Sequence, residues 1–339
     1  MTNPINAIIQ RKGWCVADGA TGSNFFGRGL EAGYPPELWC VERPDEVLCL
    51  HDKFLRAGAD LILTNSFGAN AMRLKLHKSE RRVHEINKAA AELACQAATA
   101  FTDESGHRAV VAGSMGPTGE LFVPMGELAF EQAVACFEDQ AVALAEGGAQ
   151  VLWIETMSAN EEVAAAEAAK STGLPVVGCL TFDMARRSMM GVTPCEFAAV
   201  AVEIGLDAVG SNCGIGPAEL MDSTTQLLEA NCGLPIAAKG NCGIPQYVDG
   251  AIHFHGSPEL MADYALFARD AGATIIGGCC GTTPEHLAAM VTALNVTAPR
   301  PFDAATMTEV LGAPWPDFSE RGASEGGRRS RRRSVARAD

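Results

Sequence analysis

Three cysteines stand out by position. Cys213, Cys279 and Cys280 each follow closely on a short apolar run. Three thiolates can hold Zn²⁺ with a fourth position left open, the layout of a catalytic rather than a structural site. A free alkyl thiol, with a pKa of about 8.5, is mostly protonated at neutral pH. Bound to such an ion it loses its proton and remains a nucleophile. The spacing alone leaves a second reading, chance cysteines, because adjacent Cys-Cys is not a standard zinc motif. The other nine cysteines sit without metal-like spacing and read as small buried hydrophobes. Asp18 and Glu155 also end apolar runs. Two carboxylates can serve as a general acid/base pair or face a single ammonium. His253 and His255 could share a strand face and bind metal, but read more simply as surface residues beside Gly256-Ser257-Pro258. Met189-Met190 reads as packing.

Bringing residues 18, 155, 213 and 279 together needs a scaffold with strong internal order. One local pattern recurs eight times: a glycine, a short β-rich run, then small or polar residues. Gly13 precedes 14–17, Gly58 precedes 61–63, Gly106 precedes 109–111, and Gly148 precedes 151–154. Gly173 precedes 176–177, Gly205 precedes 208–209, Gly233 precedes 236–238, and Gly272 precedes 274–276. The glycine suits the left-handed position that ends a helix. Apolar runs of this kind suit strands buried on both faces of a parallel sheet. Helical segments lie between them. Phe130, Val134, Phe137, Ala141 and Leu144 form one apolar face ending at Gly147-Gly148, and Val47, Leu48, Phe54 and Leu55 do the same before Gly58. Ser257-Pro258 and Thr283-Pro284 look like N-caps followed by Pro at the first helical position. Eight strands alternating with helices, about 37 residues apart, predict an α/β fold of the (β/α)₈ TIM barrel type with a closed parallel eight-stranded sheet. An open doubly wound sheet is less favoured, since no G-x-G-x-x-G follows the first run. In a barrel the residues after each run share one rim, where chemistry is expected.

Four blocks in consistent order carry a resemblance. They are Asp18-Gly19-Ala20-Thr21-Gly22, Thr64-Asn65-Ser66-Phe67-Gly68-Ala69, Gly210-Ser211-Asn212-Cys213 and Gly277-Gly278-Cys279-Cys280-Gly281-Thr282. From about residue 14 to residue 294 the chain resembles the homocysteine S-methyltransferase family. That family includes betaine–homocysteine methyltransferases and the homocysteine module of cobalamin-dependent methionine synthase. With Tyr247-Val248-Asp249-Gly250 and the Arg-rich end, the chain is most similar to bacterial proteins described as betaine–homocysteine methyltransferases. The resemblance implies a (β/α)₈ barrel and zinc-dependent methyl transfer to the thiolate of L-homocysteine, giving methionine. It implies Cys213, Cys279 and Cys280 as zinc ligands. Asn241 matches the position that holds the open zinc site before substrate arrives, and reads equally as a turn residue. Asp18 and Glu155 match the acids that bind the substrate ammonium. Gly19, Thr64 and Phe67 would contact the carboxylate and side chain, although Thr64 could instead cap a helix.

The donor implied is betaine or a related methyl-onium. An aromatic cage is the physical way to hold such a cation. The aromatic that animal betaine enzymes carry directly after the strand-two Phe is replaced here by Gly68, and aromatics make up 6% of the chain. Tyr34 and Trp39 are the donor-site candidates, with Phe67 and Trp153 behind them. The chain ends shortly after the expected barrel, so no folate or cobalamin module is expected within it. A methyl-corrinoid donor would arrive on a separate corrinoid protein, and the chain would then be the homocysteine-activating subunit of a split methionine synthase. A zinc-binding regulatory or scaffold protein is the alternative from another class.

Composition bounds these readings. The 339 residues are 47% hydrophobic and 20% charged, which suits a soluble globular chain with a sizeable core. Residues 1–300 are expected to form the barrel, 301–320 a C-terminal extension, and 321–339 a disordered basic tail. The net charge of −15 combines about +5 in that tail with about −20 before it, and argues against nucleic acid as a partner. No apolar run is long enough to span a membrane. Twelve cysteines without a secretion signal suit a reducing compartment, and the cytoplasm is expected. The partners expected are small molecules, with homo-oligomerisation left open.

Overall fold

The computed structural model describes residues 3–157, 159–183, 185–248 and 251–315. The basic tail and the Asp249-Gly250 pair lie outside them. Eight strands form one parallel sheet: β1 Cys15–Val16, β2 Leu61–Leu63, β3 Val110–Met115, β4 Val151–Met157, β5 Val176–Leu180, β6 Ala208–Cys213, β7 Ile236–Gly240 and β8 Ile275–Gly278. Each strand from β2 to β8 pairs with its sequence neighbour, β8 also pairs with β1, and Ala17 bridges to Leu61 to close the ring. This is the expected (β/α)₈ barrel. In all eight copies of the glycine pattern the glycine is left-handed, with φ between 71° and 115°. Only glycine adopts that turn at no cost, which is why the pattern was periodic in the sequence.

Side chains alternate across each strand. One set meets inside the ring: Leu61 and Leu63, Val110 and Ala112, Val151 and Trp153, Ala237 and Ile275. Ile5 and Ile8 of the helix Pro4–Lys12 join this cluster. The other set faces the helices. Ile62, Val111 and Ile276 pack with Leu50, Phe54, Tyr264 and Met290, while Leu152, Leu180 and Val209 pack with Phe137, Leu144 and Phe197.

Several strands run past their apolar residues. The ladders of β3, β4, β6 and β7 continue through Ser114, Glu155, Asn212 and Lys239, residues the sequence places after the strands. The main chain supplies the ladder bonds whatever the side chain, so polar residues can extend a buried strand. This puts the chemistry on rigid backbone at the strands' C-terminal ends.

Ser257 caps the helix Pro258–Ala271 by accepting the Leu260 N–H at 3.2 Å. Thr283 occupies the corresponding place before the helix Pro284–Val296, but its hydroxyl pairs with His286 Nδ1 at 2.8 Å instead. Past the barrel, the helix Ala304–Leu311 lies against the helices Pro258–Ala271 and Pro217–Glu229, with Met307 buried. Among the described residues, no helix is long and apolar enough to cross a membrane.

Candidate functional site

β6 and the turn after β8 deliver the sulfurs. The Sγ atoms of Cys213, Cys279 and Cys280 all lie within 4.8 Å of one another, Cys213 and Cys280 being 3.8 Å apart. No other trio of His, Cys, Asp or Glu ligand atoms among the described residues is so arranged. Cys213 sits in a left-handed conformation, φ 62°, which turns the chain at the rim. At Gly278 a Cβ would stand 2.3 Å from the Thr282 side chain, so the glycine before the cysteine pair is what permits its tight turn. The Cys279 N–H donates to Gly240 O at 2.7 Å, and the Cys280 N–H to Asn241 Oδ1 at 3.0 Å. Asn241 Nδ2 donates to Gly214 O at 2.7 Å, so this side chain ties β6, β7 and the cysteine pair together. Asn212 donates to Thr156 Oγ1 at 2.7 Å and approaches Cys279 Sγ at 3.9 Å.

Charge within the trio is uneven. Thiol donors Cys279 and Cys280 hold Cys213 down at about 3 against the opposing effect of burial. By donating to Cys213, Cys279 is pushed up to about 12, and Cys280 is raised as well. Such a trio could hold a metal ion, which would deprotonate all three.

Beside the sulfurs is a cavity of about 470 Å³ lined by Gly19, Thr64, Phe67, Ser114, Glu155, Lys239 and all three cysteines, with Phe26, Glu37 and Phe254 on its walls. A larger groove, about 620 Å³, lies near the strands' N-terminal ends beside Arg11 and Arg108, away from the sulfurs. Glu155 accepts from Ser114 Oγ at 2.6 Å, and burial pushes its carboxyl up to about 7 although Lys239 pulls it down. Lys239 is 2% exposed and donates to Asp18 Oδ1 at 2.9 Å, its ammonium 5.5 Å from the Trp153 ring centre. The acids Asp18 and Glu155 hold Lys239 in its charged form against burial.

The structure therefore brings together most of the expected residues but arranges some differently. Asp18 is not part of the cavity lining: its second oxygen accepts the Leu63 N–H at 2.8 Å, so Lys239 and β2 already engage both oxygens. Thr64 caps no helix. Its hydroxyl accepts the Ser114 N–H at 2.9 Å and pairs with Ser66 Oγ at 2.6 Å, joining β2 to β3. Tyr34 and Trp39 do not line the cavity either. Tyr34 is exposed and donates to Glu42 at 2.6 Å, while Trp39 is buried against Phe25, ring centres 4.9 Å apart, with the Arg43 guanidinium 4.3 Å from its ring centre. Trp153 is wholly buried beneath Lys239. The rings in the cavity wall are Phe26, Phe67 and Phe254.

His253 and His255 are both exposed, their rings stacked 6.2 Å apart, and belong to no ligand cluster. Of the nine remaining cysteines, Cys15, Cys40, Cys136, Cys179 and Cys242 are buried as expected; Cys195 is exposed and the others are half-buried.

The sequence reading places Lys239 and Ser114 at the rim without giving them a role, and it missed Glu37, Phe26 and Phe254. Lys239 was legible in principle. With a period of two, an inward Ala237 puts residue 239 inside the barrel as well.

Comparison with known proteins identifies the family. Residues 15–294 match the family model for homocysteine S-methyltransferase. The chain is 28% identical to the methionine synthases of Mycobacterium leprae, over 319 residues, and Mycobacterium tuberculosis, over 316 residues. Each match covers 88% of this chain and 26% of the relative, so the chain spans about a quarter of the length of those proteins. The crystal structure of the homocysteine methyltransferase MmuM from Escherichia coli, metallated form, superposes with a TM-score of 0.72 at 25% identity, covering 86% of this chain and 99% of that one. With the family model spanning most of the chain and the sulfur trio assembled at the barrel rim, this chain belongs to the homocysteine S-methyltransferase family.

Proposed function

We propose that the protein transfers a methyl group from a small methyl-onium donor, betaine or a related compound, to the thiolate of L-homocysteine, giving methionine, with Zn²⁺ held by Cys213, Cys279 and Cys280. The observation that carries this reading is the opening of the sulfur trio into the same cavity as Glu155 and Lys239. Tetrahedral zinc–thiolate bonds of about 2.3 Å put the sulfurs about 3.8 Å apart, and Cys213 and Cys280 stand at 3.8 Å. The chemistry zinc supplies when bound is to keep the homocysteine sulfur as a thiolate at neutral pH.

The rest is work for the chain. Glu155, steadied by Ser114, receives the substrate ammonium. Lys239 and the backbone at Gly19 receive its carboxylate, and Asp18 acts through Lys239 by fixing that ammonium at 2.9 Å. Asn241 is the ligand candidate for the fourth zinc position before substrate binds. Its Oδ1 accepts one N–H from Cys280, and a carbonyl oxygen keeps a second lone pair. The homocysteine sulfur attacks the methyl carbon, and the carbon–onium bond breaks with its electron pair left on the departing amine or thioether. No proton moves at the reacting atoms, so neither carboxylate needs to act as acid or base. Phe26, Phe67 and Phe254 are the aromatic residues of the cavity wall that could meet the onium.

The test is methionine formation by the purified zinc-loaded chain, offered homocysteine with betaine, a methyl sulfonium or methylcobalamin in parallel. Turnover with an onium supports the reading. Turnover with methylcobalamin alone makes the chain the homocysteine-activating part of a corrinoid system. Zinc binding without turnover on any of the three favours the scaffold alternative.

A further inference from the structure

We propose that Glu37 is the residue that selects the methyl donor, its carboxylate taking the positive charge of the onium group; this rests on the methyl transfer proposed above. Glu37 lies in the tight turn Pro36–Leu38, on the loop after β1, and is 4% exposed. Its Oε1 accepts the Gly68 N–H at 2.6 Å. A Cβ at position 68 would stand 2.8 Å from that oxygen, so the glycine there makes room for a carboxylate. Phe67, the next residue back, lines the same cavity. The pair Phe67-Gly68 thus places a ring in the cavity wall and seats an acid beside it.

Among the described residues, no basic side chain lies within ion-pair distance of Glu37. Arg73 and His77 act on it only from further away, and burial pushes its carboxyl up. Leaving an acid buried without a cation is costly, and native proteins pair such groups or place them where a ligand completes them. The cavity's own cation, Lys239, pairs with Asp18 at 2.9 Å. The proposed reaction brings two cationic centres into the cavity, the homocysteine ammonium and the donor onium. Two acidic residues line it, Glu155 and Glu37. With Glu155 taking the ammonium, Glu37 falls to the onium. A charge contact supplements the weak cation–π attraction of Phe rings and explains a site without Tyr or Trp in the wall.

Glu37→Gln removes the charge while keeping an oxygen for the Gly68 N–H. In zinc-loaded full-length protein the KM for an onium donor should rise about tenfold to a hundredfold, the range for a partly desolvated charge contact. Homocysteine KM should stay unchanged and kcat should stay within about a factor of two. Gly68→Ala, which pushes the carboxylate from its seat, should raise the same KM. Calorimetric binding of tetramethylammonium in the presence of homocysteine gives a readout independent of turnover, and Glu37→Gln should weaken it by a similar factor. If no onium supports turnover in the wild type, the methyl-onium reading fails, and the tetramethylammonium measurement still decides the role of Glu37. An unchanged dissociation constant in Glu37→Gln, or a rise in homocysteine KM equal to that for the donor, overturns the proposal.

Discussion

Replacing Lys239 by Met tests the electrostatic floor of the site. Lys239 and Asp18 are each 2% exposed in their side chains and 2.9 Å apart. At an effective dielectric of about 20, that separation corresponds to about 6 kcal/mol of attraction, most of it offsetting desolvation. Removing one partner of a buried pair costs about 3–5 kcal/mol, because the other charge is left unpaired. Asp18 can escape by taking up a proton, which costs about 4 kcal/mol at pH 7 and about 1.5 kcal/mol at pH 5 for an ordinary aspartate. The variant should therefore lose about 3–4 kcal/mol at pH 7, capped by that route. The sign follows from proton counts. In the variant the folded Asp18 keeps a proton that the unfolded chain releases above about pH 4, so folded stability falls as pH rises. Urea unfolding of zinc-loaded wild type and variant at pH 5 and pH 7 should show the gap widening by about 2 kcal/mol. A gap that does not change with pH, or one below about 1 kcal/mol at pH 7, refutes Lys239 as the counter-charge of Asp18.

Other consequences are equally direct. Cys279→Ala or Cys280→Ala should lose zinc and activity together while circular dichroism reports an intact barrel, since neither side chain belongs to the apolar core; zinc retained at full stoichiometry would contradict the ligand assignment. Glu155→Gln should raise homocysteine KM with zinc still bound, and a normal KM would remove Glu155 from the ammonium site. Because burial pushes the Glu155 carboxyl up to about 7, homocysteine affinity in wild type should rise with pH through that value as the acid ionises. The part of that rise due to Glu155 should be absent from Glu155→Gln, whereas parallel pH profiles would contradict it.

The barrel was legible because its punctuation is physical. A left-handed helix end calls for glycine and a two-sided buried strand calls for an unbroken apolar run, so Gly148 before Val151, or Gly272 before Ile275, marks the same event each time. The sulfurs and Glu155 were legible because they follow those runs. Lys239 was hidden by its type: a lysine at a strand end ordinarily reads as solvated, and only the inward series Ala237, Lys239 above Trp153 reveals it. Tyr34 and Trp39 misled because closeness in sequence does not fix direction within a short turn. Around residues 36–42 the backbone is helical, so Glu37 lines the cavity while Trp39, two residues on, packs against Phe25. Phe254 reaches the cavity from the antiparallel strand pair 245–248 and 251–254, a placement that depends on long-range packing absent from any local pattern.

The central claim is that Cys213, Cys279 and Cys280 hold a zinc ion that takes the homocysteine sulfur as its next ligand. X-ray absorption at the zinc edge, on the loaded protein with and without L-homocysteine, measures this directly. The account predicts three sulfurs at about 2.3 Å with one lighter ligand before substrate, and four sulfurs after it. An unchanged sulfur count on saturation with homocysteine would contradict it.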